Sequence, residues 1–205
     1  MSPLRNVFEI LFKKYSADER LIAEYWKEIE EKYSGKGRHY HTLSHLEYMY
    51  GELLPVKDKM LDWEAALFAL FYHDMIYNVL KNDNEERSAD IAQQRLAKVN
   101  FPGMRAQRSL ALIIATKKHE LTGVTDVDLF TDADLSVLGA PFETYRAYAE
   151  NVRKEYSVYP DLLYKPGRKK VLQHFLGMPS IFKTTFFSHY EQQARENIAR
   201  EIALL

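Results

Sequence analysis

Cysteine is absent from this 205-residue chain. That excludes disulfides, zinc ribbons and thiol nucleophiles, and it suits a reducing compartment. Long hydrophobic runs are missing too: no window approaches the roughly 20 apolar residues of a membrane span. The opening Met1-Ser2-Pro3-Leu4-Arg5-Asn6 lacks the apolar stretch of a signal peptide. A soluble, cytoplasmic protein without a membrane partner is the expectation. Neither sign of charge dominates, since 28 basic residues face 29 acidic ones. Such a balance exerts no overall pull on nucleic acid, which is therefore disfavoured as a partner. There is also no P-loop, dinucleotide fingerprint, HExxH motif or GxSxG elbow, so nucleophilic serine hydrolysis has no support.

Glycine and proline are scarce, 8 and 7 residues, and apolar residues recur mostly at spacings of three and four. The chain therefore reads as all-α. Its length and 46% hydrophobic content suit one domain with a substantial core. From about Ala17 to Lys32, the residues Leu21, Ile22, Tyr25, Trp26 and Ile29 mark an amphipathic helix, broken by Ser34-Gly35-Lys36-Gly37. A second helix is expected from Thr42 or Ser44 towards Leu54, stopped by Pro55. The third, around Trp63 to Tyr77, is apolar nearly all round and should be central. Asp83 and Glu86 suggest a capping box opening a fourth helix to about Lys98. Another helix runs from about Arg105 to Lys118, and Leu121 to Thr131 reads as loop, with Thr131 or Asp132 capping the next helix. A long helix starts near Glu143, Pro160 and Pro166-Gly167 act as later breaks, and a last helix covers about Ser188 to Ala203.

His73 and Asp74 lie at the end of the apolar run Leu67-Phe68-Ala69-Leu70-Phe71-Tyr72. An ionised carboxylate there costs several kcal/mol unless something positive compensates it. A metal ion would do so and would also explain the adjacent imidazole; a buried Arg or Tyr partner for Asp74 is the alternative. His41 and His45, four apart, share a helical face and supply imidazoles suited to divalent transition metals. Equally, His41 caps the helix and His45 is a core residue. Asp132 or Asp134 could close the shell or serve as an N-cap. His119 is a ligand to a second ion or a cation at a helix C-terminus. Glu85 and Glu86 are candidates for a general base acting on water. Arg38, Lys117, Lys118 and Arg168 are candidate contacts for an anionic substrate, or solvated charges.

The order His, His-Asp, Asp on successive helices resembles the HD superfamily of metal-dependent phosphohydrolases. The blocks that carry the resemblance are Tyr40-His41-Thr42-Leu43-Ser44-His45-Leu46, Tyr72-His73-Asp74-Met75-Ile76-Tyr77 and Asp83-Asn84-Glu85-Glu86-Arg87-Ser88-Ala89. Ala115-Thr116-Lys117-Lys118-His119 and Asp132-Ala133-Asp134-Leu135-Ser136-Val137-Leu138-Gly139 continue it, and Arg153-Lys154-Glu155-Tyr156 and Tyr164-Lys165-Pro166-Gly167-Arg168 look familiar as well. The resemblance covers most of the chain beyond about residue 35. With no internal repeat or linker, the chain is expected to form a single HD-type helical domain over 1–205, with an N-terminal helix before about 35, a metal-site core over about 38–140 and C-terminal helices over about 141–205. The resemblance implies His73 and Asp74 as ligands, His45 as the better match to the first histidine, and Asp134 ahead of Asp132 as the last. His41 and His119 become candidates for a second ion or the substrate.

The expectation is hydrolysis of a phosphoester, with a nucleotide among the possible substrates, by a water activated on a divalent ion. Mixed nitrogen and oxygen ligation suits Mn, Fe, Co, Ni or Zn, one or two per chain. Two alternatives stand beside it: a non-catalytic module binding a metal or nucleotide for regulation, and a diiron oxygenase of HD type.

Overall fold

The computed structural model describes residues 3–205. They form ten α-helices and three short 3-10 turns, with no strand among the described residues. The helices are α1 (Pro3–Lys13), α2 (Glu19–Tyr33), α3 (Leu43–Leu53), α4 (Trp63–Tyr72) and α5 (Asn84–Lys98), then α6 (Gly103–Ala115), α7 (Thr125–Leu135), α8 (Phe142–Glu155), α9 (Asp161–Gly177) and α10 (Glu191–Leu204). Among the described residues, no helix is long and apolar enough to cross a membrane.

α4 is the axis of the core. Every residue from Ala65 to Tyr72 is buried, and Asp62 caps its start by accepting from the Ala65 N–H at 3.0 Å. α1 packs on it edge-to-face, Phe8 against Phe71 and Phe12 against Phe68, with centroids 5.1 and 5.0 Å apart. Each such ring contributes about 1.5–3 kcal/mol by leaving water. On the other side Ser109 of α6 donates to the Ala65 carbonyl at 2.9 Å. α1 lies outside the helices expected from sequence, although Leu4, Phe8, Leu11 and Phe12 recur at helical spacing and are all buried.

Several expectations need correction. α4 ends at Tyr72 rather than near Tyr77, so His73 is its C-cap and Asp74 follows the helix instead of lying within it. The segment from Thr125 is helical, which places Thr131 and Asp132 inside α7 and removes both as caps. The capping box does not form: Asp83 makes no side-chain cap bond, and Glu86 pairs with Lys117. Pro160 does precede a helix, but Pro166 sits inside α9 without ending it. The hydrogen bond it forgoes would reach Leu162, which is 84% exposed and open to water.

Candidate metal centre

Three elements converge at the C-terminal end of α4. α3 brings His45, the end of α4 brings His73 and Asp74, and the last turn of α7 brings Asp134. The His45 and His73 Nε2 atoms are 3.2 Å apart. Asp74 Oδ2 lies 3.1 Å from the second and 3.7 Å from the first. Asp134 Oδ1 lies 3.2 Å from His45 Nε2 and 3.9 Å from His73 Nε2. His45, His73 and Asp74 form a group that could hold a metal ion.

These spacings fit an ion. Nitrogen and oxygen ligands at about 2.0–2.2 Å from zinc stand about 3.3–3.6 Å apart around a tetrahedron. The protonation pattern agrees. His73 Nδ1 lies 3.0 Å from the Leu70 carbonyl, which can only accept, so Nδ1 carries the proton and a neutral ring leaves Nε2 a lone pair aimed at its neighbours. His45 Nδ1 is buried without a partner. The surrounding carboxylates call for positive charge, which the His73 ring supplies when protonated and a bound ion would supply in its place. Burial alone would lower the His73 imidazole, but Asp74 and Asp134 outweigh it and hold the group at about 9. Burial would likewise raise both carboxyls. Instead His73, His41 and His45 keep Asp74 well below the carboxylate range, and His119 and His45 do the same for Asp134. Two carboxylates flanking the same pair of imidazoles draw positive charge to the spot.

A cleft of about 270 Å³ opens beside these groups, with His41, Asp74, His119, Asp134, Glu85, Lys81 and Lys117 among its walls. His119 follows α6 in the left-handed region, φ 53°, and its Nε2 meets Asp134 Oδ2 at 2.8 Å. His41 is held from behind. Its Nδ1 is 2.7 Å from Glu155 Oε2, which also accepts from the Tyr77 hydroxyl at 2.8 Å. Glu155 Oε1 accepts from the backbone N–H groups of His39, Tyr40 and His41 at 2.8–3.0 Å. Burial would raise this carboxyl, but His41 and those N–H groups hold it down at about 2. Glu155 and Tyr77 had no expected role. Both stand in text already singled out, yet nothing in one dimension says that residue 155 reaches back to residue 41.

Other candidates are placed elsewhere. Asp132 is fully buried on the far face of α7, two residues or about 200° from Asp134. It accepts from the backbone N–H of Lys183 and Thr184 at 2.8–3.0 Å, from the Thr184 hydroxyl at 2.7 Å and from Lys183 Nζ at 3.3 Å. Arg38 does not line this cleft. Its guanidinium donates to the carbonyls of His41, Asp74 and Met75 at 2.6–3.2 Å and staples the loop after α4. Lys118 is exposed and outside the cleft wall. Arg168 is committed to Glu201, 2.7 Å away. Glu85 is on the wall, whereas Glu86 pairs with Lys117 and stays off it. Comparison with protein-family models, with curated proteins and with solved structures finds no match for this chain.

Proposed function

We propose that this protein is a metal-dependent phosphohydrolase of HD type, acting on a small phosphoester. The observation that carries the reading is the approach of two carboxylates to a pair of histidine Nε2 atoms, at 3.1–3.9 Å from those nitrogens, on the edge of an open cleft. His45, His73, Asp74 and Asp134 would hold one divalent transition ion, and nitrogen with oxygen ligands and no thiolate suits Mn, Fe, Co, Ni or Zn. A bound ion of this kind lowers the pKa of water and stabilises negative charge developing on phosphorus.

The chain's own residues supply the rest. Glu85 on the cleft wall accepts the proton of the attacking water, a task for which Glu86 is disqualified by its pairing with Lys117. Lys81 lines the same cleft and offers an ammonium group to phosphoryl oxygens, whereas Lys117 is held by Glu86 and the Asn82 carbonyl. Glu155 fixes the His41 ring against the wall. The order of the motif blocks along the chain supports the same reading.

The test is release of phosphate from phenyl phosphate by chelator-treated protein given back Mn, Co, Ni or Zn in turn. Turnover restored by at least one ion, and reduced about 100-fold or more in Glu85→Gln with metal content intact, is expected. Metal-loaded protein that binds phosphoesters without turning them over would contradict hydrolysis and favour a regulatory binding module.

A further inference from the structure

His119 lines two hollows. On one side is the cleft of about 270 Å³ at the candidate metal centre; on the other is a larger one of about 560 Å³, bounded by the end of α9 and the segment that follows it. Among the described residues no other lines both. The smaller cleft alone falls below the roughly 300–1,000 Å³ of ordinary ligand sites. It suffices for a small phosphoester with a single ring, so a larger substrate must extend past its wall.

The larger hollow has a distinct chemistry. Leu121, Met178 and Phe182 give it apolar walls, and Leu121 is left 71% exposed at its edge. Gln173 and His174 stand on it from α9, both exposed. Among the described residues neither side chain holds a hydrogen bond, so both are available to a ligand. Lys183, also on the wall, is already bound to Asp132 and the Ile181 carbonyl. A polyol or sugar would leave the apolar walls unmatched, and an aliphatic chain would leave Gln173 and His174 unused.

We propose that this hollow receives the organic group of the phosphoester, and that this group is a bulky aromatic with polar atoms at its edge. The assignment rests on the phosphohydrolase reading for the identity of the ligand. It has a clean test because of Gly177, the last residue of α9, which lines the hollow. A Cβ built there meets nothing within 4 Å, and the residue has no positive φ, so Gly177→Trp fills the space without straining the backbone.

Phenyl phosphate and 2-naphthyl phosphate present the same bond with one ring or two. Wild-type protein loaded with Mn should bind and turn over the naphthyl ester with a KM about tenfold lower, as expected for one further buried ring. Gly177→Trp and Leu121→Lys should erase that difference while leaving phenyl phosphate turnover and metal content within about twofold, which also shows that they fold. Equal KM values for the two esters, or a naphthyl preference that survives in both variants, overturns the proposal. If neither ester is hydrolysed, equilibrium binding followed by naphthyl fluorescence decides separately. Tighter naphthyl binding that Gly177→Trp removes keeps the hollow and discards hydrolysis; naphthyl binding no tighter than phenyl, or untouched by the substitution, discards the hollow.

Discussion

Asp132 and Asp134 show how much two positions on one helix decide. Both carboxylates are near α7's C-terminal end, but one closes on imidazoles and the other on the Lys183–Thr184 backbone. Their loss should therefore read out differently. Asp134→Ala should keep the fold and lose most bound metal, since it removes one donor of four. Asp132→Asn should cost about 3–5 kcal/mol, the range for breaking one side of a buried pair, while the folded fraction keeps its metal. Urea denaturation with metal analysis of both variants checks this, and the opposite pattern would reassign the ligand. Glu155 makes a pH prediction. Its carboxyl lies at about 2 in the folded protein against 4.5 ordinarily, so the unfolded chain takes up its proton first. The stabilisation is complete above about pH 5 and is lost as pH falls from about 4.5 through 2. It is worth on the order of 3 kcal/mol, at about 1.4 kcal/mol per pKa unit. Urea midpoints at pH 6 and pH 3 should fall less steeply in Glu155→Gln than in the wild type; parallel slopes would contradict the assignment.

The element that matters most is the end of α4. The helix stops at Tyr72, so adjacent residues His73 and Asp74 can meet at one point although neighbours on a helix diverge by about 100°. Arg38 holds the turn by the Asp74 and Met75 carbonyls and ties it to the His41 carbonyl. Arg38→Ala should therefore weaken metal affinity about 10–100-fold, the usual effect of removing a group that supports ligands; unchanged affinity in a metal titration would show that the turn holds itself. Helix α4 was legible as central because nothing polar interrupts it from Ala65 to Tyr72, but its end was not, since Met75, Ile76 and Tyr77 continue the apolar text after the backbone has turned. α7 was illegible for the opposite reason. Asp126 and Asp128 look like loop residues, yet they point inward and accept from the backbone at Leu61, Asp62, Thr122 and Gly123 at 2.7–3.0 Å. Those bonds span up to 65 residues and leave no local periodicity. Pro166 shows a third limit: a proline early in a helix, with its lost partner in water, does not end it.

Across the whole molecule, Gly139 is a point of closest approach. It follows α7, and a Cβ there would stand 2.5 Å from Tyr190 Cβ and 2.7 Å from the Tyr190 carbonyl. Gly139→Ala should destabilise the protein by about 3 kcal/mol, at the upper end of overpacking costs, with a lowered urea midpoint; a midpoint within error of wild type would show that the two segments part easily. At this scale the all-helical architecture was readable from spacing alone. Of the candidate site, His45, His73, Asp74 and Asp134 were readable as chemistry without an address, and the choice between Asp132 and Asp134 needed the orientation of α7. Glu155 and the hollow beyond His119 depend on contacts across more than 50 residues, which no local pattern records. The claim beneath all of this is that four side chains from three elements share one ion. Elemental mass spectrometry on tag-free protein beside its Asp74→Ala variant measures that directly. The account predicts about one or two equivalents of a transition metal per wild-type chain and a loss of most of it in the variant. No metal in either protein after incubation with Mn, Co and Zn would contradict it.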